Sequence, residues 1–246
     1  MKTIPAAEIS IIGGGPAGSG LAILLRQLGV RVALFEKKKF PREVLCGEFL
    51  SHEVTEFISK VGLRESFLKL MPNPVKRFSL TAPSRVFSSE LSFTGYGLSR
   101  GAFDKLLLDY AKELGADIYE EHEVTSVNKT GAGTQITGKN REGEFSCTAN
   151  YTISAYGKQN ILDKSLKRKH SHFNSGFFGV KYHIPARALS GFKKEDIIIS
   201  AADNIYCGVN CIEQDRASLC FLAKTGKHIS DRASALRYLS SQNSHF

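Results

Sequence analysis

Residues Ile11 to Gly20 read IIGGGPAGSG, and Gly13, Gly15 and Gly18 fit the spacing Gly-x-Gly-x-x-Gly. Each glycine in that spacing has its own task. The first permits a tight turn, the second lets backbone approach a pyrophosphate with no Cβ in the way, and the third lets a helix pack closely on a strand. Pro16 and Ala17 then open a helix whose free N–H groups and positive end suit phosphate. Glu36 falls where a second strand should end, and a carboxylate there can accept both hydroxyls of a ribose. The pattern predicts a dinucleotide site and leaves FAD and NAD both open. A glycine-rich turn without a ligand is the bland alternative, disfavoured because strand, turn, helix, strand and acid follow in order.

The elements around the motif must hold it. Glu8–Ile12 reads as a buried strand and 16–28 as a helix. Leu21, Leu24, Leu25 and Leu28 recur on one face at helical spacing, and Gly29 sits where a helix end wants positive φ. Residues 31–35 form a second strand, completing a βαβ unit. Ser51 is placed to cap a helix carrying Val54, Phe57, Ile58 and Val61, and Gly62 ends it. Strands follow at 75–80 and 85–93, joined at Ala82-Pro83-Ser84. A helix at 101–114 has Phe103, Leu106, Leu107, Tyr110 and Leu114 on one face, and a strand follows at 117–119. Short strands then run to Ile153. Beyond about Lys169 the pattern changes to strands at 177–184, 196–200, 205–212 and 218–223, mostly antiparallel, with a helix near Ser230. This predicts an α/β (α+β overall) fold: a Rossmann-like binding domain (1–74 and 94–168) interleaved with a mostly antiparallel sheet domain (75–93 and 169–246).

The chain has 246 residues, 42% hydrophobic, with a formal net charge of +9. That length allows one large or two small cores. The positive charge favours anions: phosphorylated cofactors, acidic substrates or a membrane surface. Lys37 to Lys39 beside the ribose acid add positive potential, although a charge run is usually a solvated face. The run Lys164 to His170 suggests peripheral contact with acidic lipid headgroups, or with a phosphorylated substrate, as a minor reading. No interleaving of basic and aromatic residues points to nucleic acid. Five cysteines, Cys46, Cys147, Cys207, Cys211 and Cys220, form no disulfide framework and no zinc spacing. No metal site is predicted, and the thiols read as core or strand residues in a reducing compartment. No apolar run approaches the ~20 residues of a membrane helix, and no signal peptide fits before the first strand. The expected location is the cytoplasm.

GGGPAG followed by EKKKFPREVLCGEFLS resembles the geranylgeranyl reductase-like branch of FAD-dependent oxidoreductases, within the para-hydroxybenzoate hydroxylase-type superfamily. Arg42, Cys46, Gly47, Leu50 and Ser51 match its arginine–gap–Cys-Gly–Leu-Ser pattern. YGLSRGAFDKLLLDYAKELGADI resembles the next shared block, with Arg100 and Asp104 at its marked positions, and YCGVN resembles a substrate-domain strand. The resemblance implies FAD with its adenine end on the βαβ unit, held by Gly13, Gly15, Pro16, Ala17, Gly18, Glu36 and Lys37. Arg42 would sit at the pyrophosphate, where a guanidinium can bond two oxygens. Arg100 would support the cofactor, with an Asp104 salt bridge as its plain alternative. Val124 would offer a backbone contact to adenine. Gly157 keeps the glycine of a second motif whose aspartate is replaced by Tyr156. Cys46 and Gly47 would lie near the isoalloxazine, with Cys46 as a polarizable wall or proton donor and Glu48 as a candidate general acid.

The implied activity is reduction of C=C bonds in an isoprenoid-like or other apolar small molecule, with NADPH or NADH as electron donor. The alternatives are a monooxygenase hydroxylating an aromatic or polyketide-like substrate, a flavin-binding fragment without turnover, and an NAD-dependent dehydrogenase. The Gly-Asp motif that follows in such enzymes is not found before Phe246, so the chain resembles the N-terminal two-thirds of one. Halogenases are set aside, since their motif needs paired tryptophans and this chain has none.

Overall fold

Residues 1–158, 161–168 and 175–244 are described in a computed structural model. In chain order the elements are β1 (Lys2–Thr3), β2 (Ala7–Ile12), α1 (Pro16–Gln27), β3 (Val32–Glu36), β4 (Phe49–Leu50), α2 (His52–Lys60), α3 (Arg64–Lys69), β5 (Asn73–Ala82) and β6 (Arg85–Gly97). There follow α4 (Arg100–Glu113), β7 (Asp117–Glu120), β8 (Glu123–Thr130), β9 (Gly133–Asn140), β10 (Gly143–Ser154), α5 (Ile161–Ser165), β11 (Phe177–Pro185), β12 (Asp196–Ala202), β13 (Ile205–Ile212), β14 (Arg216–Lys224) and α6 (Arg232–Gln242).

The chain divides into two compact units, Met1–Arg42 with Gly101–Phe173, and Glu43–Arg100 with Asn174–Phe246. Residues 43–74 and 94–100, which the sequence reading places in the first domain, fall in the second unit. The reason is pairing: β4 joins the sheet of the second unit through Phe49 and Leu50 opposite Gly97 and Tyr96.

In the first unit the sheet runs β7-β3-β2-β10-β9-β8, with β1 beside β10. β2 and β3 are parallel, as a crossover through α1 requires. β10 is parallel to β2 and antiparallel to β9. Every residue of β3 is buried, as expected for an inner parallel strand. Ile12, Phe35, Val124, Ile136, Phe145 and Leu162 share one core, where Phe35 stacks on both Tyr119 and Phe145.

The most buried face of α1 is not the leucine stripe, of which Leu21 and Leu25 are half-buried. Ser19, Ala22 and Ile23 are buried, whereas Leu24 is 37% and Leu28 78% exposed. Close approach of helix to sheet demands small residues, so the glycine end of the motif dictates which face turns inward. Hydrophobic periodicity alone points to a stripe that is only partly buried, through Leu21 and Leu25.

The sheet of the second unit runs β11-β14-β13-β12-β5-β6-β4. Its neighbours are antiparallel except β12 and β5. A two-residue turn, Pro83-Ser84, joins β5 to β6. Cys207, Val209, Phe221, Ala235 and Leu239 centre its core under α6. That helix starts with a full capping box, Asp231 and Ser234 each bonding the other's backbone N–H. Ser51 does stand at the start of α2, but its hydroxyl donates to Glu53 rather than capping the helix. No described helix is long and apolar enough to cross a membrane. Lys169 and His170 of the basic run lie outside the described residues.

Candidate cofactor site

The turn after β2 is built for close approach. Gly13 has φ +108°, and a Cβ there would lie 2.5 Å from the Ala155 carbonyl oxygen. A Cβ on Gly18 would lie 1.8 Å from the Gly13 oxygen. These two glycines are needed by the fold itself. Gly15 differs. It is the N-cap of α1 with φ −73°, a conformation open to any residue, and a Cβ there would meet only an Arg42 terminal nitrogen at 3.6 Å. Neither backbone nor packing asks for glycine at 15. Pro16 follows at the first helical position, and Ala17 is exposed beside it.

Glu36 is buried, and its carboxylate takes the Gly14 N–H at 2.9 Å on one oxygen and the Lys38 N–H at 2.9 Å on the other. Each oxygen keeps a second lone pair for a hydroxyl donor. The side chains of Lys37, Lys38 and Lys39 are exposed. Arg42 lies along this turn, 3.6 Å from the Glu36 carboxylate and 3.4 Å from that of Asp104, which is fully buried. Its guanidinium also lies over the Phe40 ring at 4.7 Å. The Nε of Arg42 is buried with no hydrogen-bond partner among the described residues. An orphaned guanidinium nitrogen beside a glycine turn fits an anionic ligand, because buried donors are otherwise paired. The residues present therefore fit the pyrophosphate and ribose of a dinucleotide.

Val124 is buried in the core, so its side chain is structural. Gly157 has φ +77° with open space around its Cβ position. Tyr156, where the Asp-Gly pair would carry its acid, donates its hydroxyl to Asp163 at 2.8 Å. Burial, with the bond to Asp163, pushes that phenol up.

The second group of expected site residues lies in the other unit. Cys46 is half-buried, Gly47 is exposed with nothing near its Cβ position, and Glu48 is wholly buried with φ +62°. Glu48 accepts the Arg100 N–H at 2.8 Å and the Lys181 ammonium at 2.7 Å on one oxygen, and His183 Nε2 at 2.5 Å on the other. Lys181 also donates to Glu43. Burial pushes the Glu48 carboxyl up, but the bonds from Lys181, the Arg100 N–H and His183 outweigh it and hold the group below the usual carboxylate range. Lys181 is raised in turn, its two carboxylates overcoming burial. Glu48 is thus an ionised anchor with no proton to give near neutral pH, contrary to the general-acid role expected for it. Since the carboxylate can only accept, His183 Nε2 must carry the hydrogen.

Glu43, Glu48 and His183 converge closely enough to suggest a cation site. The Lys181 ammonium already bridges the two carboxylates. Lys181, His183 and Glu43 were not singled out from the sequence. The visible signal was Lys-x-His in a strand, two side chains on one face, but nothing local names Glu48 as their partner.

Comparison with known proteins gives the family directly, since the pattern described as FAD binding domain matches residues 6–237. The chain belongs to the FAD binding domain family. Within it, the chain is 31% identical over 187 residues to a flavin-dependent halogenase of Armillaria mellea, covering 67% of this chain and 34% of that protein. It is 25% identical over 201 residues to the kynurenine 3-monooxygenase of Flavobacterium psychrophilum, covering 76% and 44%. The chain therefore spans between a third and a half of these relatives. Among solved structures, a geranylgeranyl bacteriochlorophyll reductase-like protein of Thermoplasma acidophilum superposes with TM-score 0.79 at 20% identity, over 98% of this chain and 61% of that one. This likeness shows the shared fold. The α/β fold and the FAD assignment follow from the family. The reductase branch does not, and halogenases, set aside on sequence for want of paired tryptophans, are among the matching relatives.

Proposed function

We propose that this chain binds FAD through the 13–18 turn, Glu36 and Arg42, and works as a monooxygenase-type flavoenzyme on an apolar aromatic or polyketide-like small molecule. The observation that carries the FAD reading is Gly15: nothing in the conformation or packing of the described residues needs glycine there, whereas a pyrophosphate does. When bound, FAD supplies hydride transfer and reaction with oxygen. The residues of the chain do the rest. The first turn of α1 presents N–H groups to phosphate, Arg42 offers Nε, Glu36 accepts from the ribose, and Gly47 leaves room for a ring.

The similarity to a monooxygenase and a halogenase favours oxygen chemistry over double-bond reduction. The second reading is a C=C reductase, supported by the Arg42…Cys46-Gly47 pattern, with Cys46 as the remaining proton source. NADPH or NADH is the proposed electron donor in both.

The test has two steps. The purified chain is mixed with FAD, freed of excess, and its visible spectrum recorded beside that of Gly15→Ala. Retained flavin bands in the parent and their loss in a folded Gly15→Ala variant support the site. Flavin retained equally by both sinks it. Oxygen uptake is then followed with NADPH and aromatic acceptors. Product carrying oxygen supports the first reading, a saturated product the second, and a halide-dependent product a halogenase.

A further inference from the structure

We infer that Lys181 and His183, through the carboxylate of Glu48, and Gly179, through the Leu45 side chain, are positioning residues that hold Cys46 and Gly47. This role rests on the flavin reading of Cys46 and Gly47 above. Residues 179, 181 and 183 alternate along β11 and so share one face. Each touches the 43–48 segment. The Leu45 side chain lies so close over Gly179 that a Cβ there would clash with its Cδ2. Lys181 bonds Glu43 and Glu48, on either side of Cys46. His183 bonds the second oxygen of Glu48.

The segment needs such a template. Glu48 is a non-glycine residue in the left-handed region, which persists only when its surroundings over-determine it. Its carbonyl accepts the Leu98 N–H at 3.1 Å, and its own N–H meets Cys46 Sγ at 3.4 Å. The conformation of Glu48 therefore sets where the Cys46 thiol points. The other face of β11, through Phe178, Val180 and Tyr182, packs into the core. One strand thus joins the core to the candidate ring-facing turn.

The test uses the reduced full chain and alkylation by iodoacetamide, with the rate read at each cysteine by mass spectrometry. Cys207, fully buried in the same unit, reports general loosening. Lys181→Met is expected to raise the Cys46 rate about tenfold with Cys207 unchanged, as local opening does when a buried charge loses its partner. Lys181→Arg, which keeps a cationic donor, is expected to return the rate to within about twofold of the parent. Should Lys181→Met not fold, Gly179→Ala takes its place, since it displaces Leu45 while leaving the charges intact. An unchanged Cys46 rate, or Cys46 and Cys207 rising together, overturns the role. In the FAD-loaded chain, Lys181→Met is also expected to shift the flavin visible bands. A superimposable spectrum despite faster alkylation would overturn the link to the ring. A parent chain that retains no FAD would sink the flavin reading alone, and the alkylation rates would still decide whether β11 positions the turn.

Discussion

The glycine turn of the first unit and the Glu48 cluster of the second handle charge in opposite ways. Around the turn, donors are left open: Arg42 Nε is buried with no partner among the described residues, and the first turn of α1 presents N–H groups with no helical acceptor. Around Glu48 the carboxylate is held by an ammonium, an imidazole and a backbone N–H. An open arrangement is what a ligand completes, and a closed one is what holds a shape. The difference separates residues that bind from residues that position, which residue type alone does not.

The sharpest way to break this comparison is to separate fold from ligand within the turn. Gly18→Ala puts a Cβ 1.8 Å from a backbone oxygen, so a loss of at least about 3 kcal/mol is expected, as for severe overpacking. Gly15→Ala meets only an ordinary contact and should stay within about 1 kcal/mol of the parent. Thermal melts of both variants check this. If Gly15→Ala unfolds as readily as Gly18→Ala, then Gly15 is structural and the open-site reading of the turn collapses.

The closed cluster is tested by removing its cation. Lys181→Met strands a buried carboxylate and should cost about 3 kcal/mol. Glu48→Gln in the same background should recover part of that loss, because the two residues act as one unit. Urea denaturation of the single and double variants gives the coupling. Strict additivity would mean that Lys181 and Glu48 do not depend on each other.

How much of this was legible from sequence follows from chain distance. The turn, α1 and Glu36 lie within one βαβ stretch, so their order could be read and their roles inferred. Arg42 needed the family pattern. Glu48 was found by its neighbours Cys46 and Gly47, but its partners Lys181 and His183 stand more than 130 residues away, on a strand whose register is fixed only by long-range pairing. Its expected role failed for the same reason, since a carboxyl's protonation depends on the partners the fold brings. The inward face of α1 is set largely by small residues, which a hydrophobic count does not see.

Acid should reveal the closed cluster. Glu48 has a lower pKa folded than unfolded. Such a group adds stability above its unfolded value, about 4.3, and that contribution is lost as pH falls through the folded value. The stability gap between the parent and Glu48→Gln should therefore be full near pH 7 and shrink below about pH 4. Urea midpoints measured from pH 7 to pH 3 give the gap directly. A gap that is flat with pH would mean that Glu48 does not titrate against its partners.

The smallest expected effect sharpens the reading of α1. Leu28→Ser alters a side chain that is 78% exposed, so stability should move by no more than about 0.5 kcal/mol. Ile23→Ala, at a fully buried position, should cost about 2 to 5 kcal/mol. The pair is read by the same urea curves. A costly Leu28→Ser would return the leucine stripe to the core and undo the argument that the glycine motif, through its demand for close approach, decides which face of the helix turns inward.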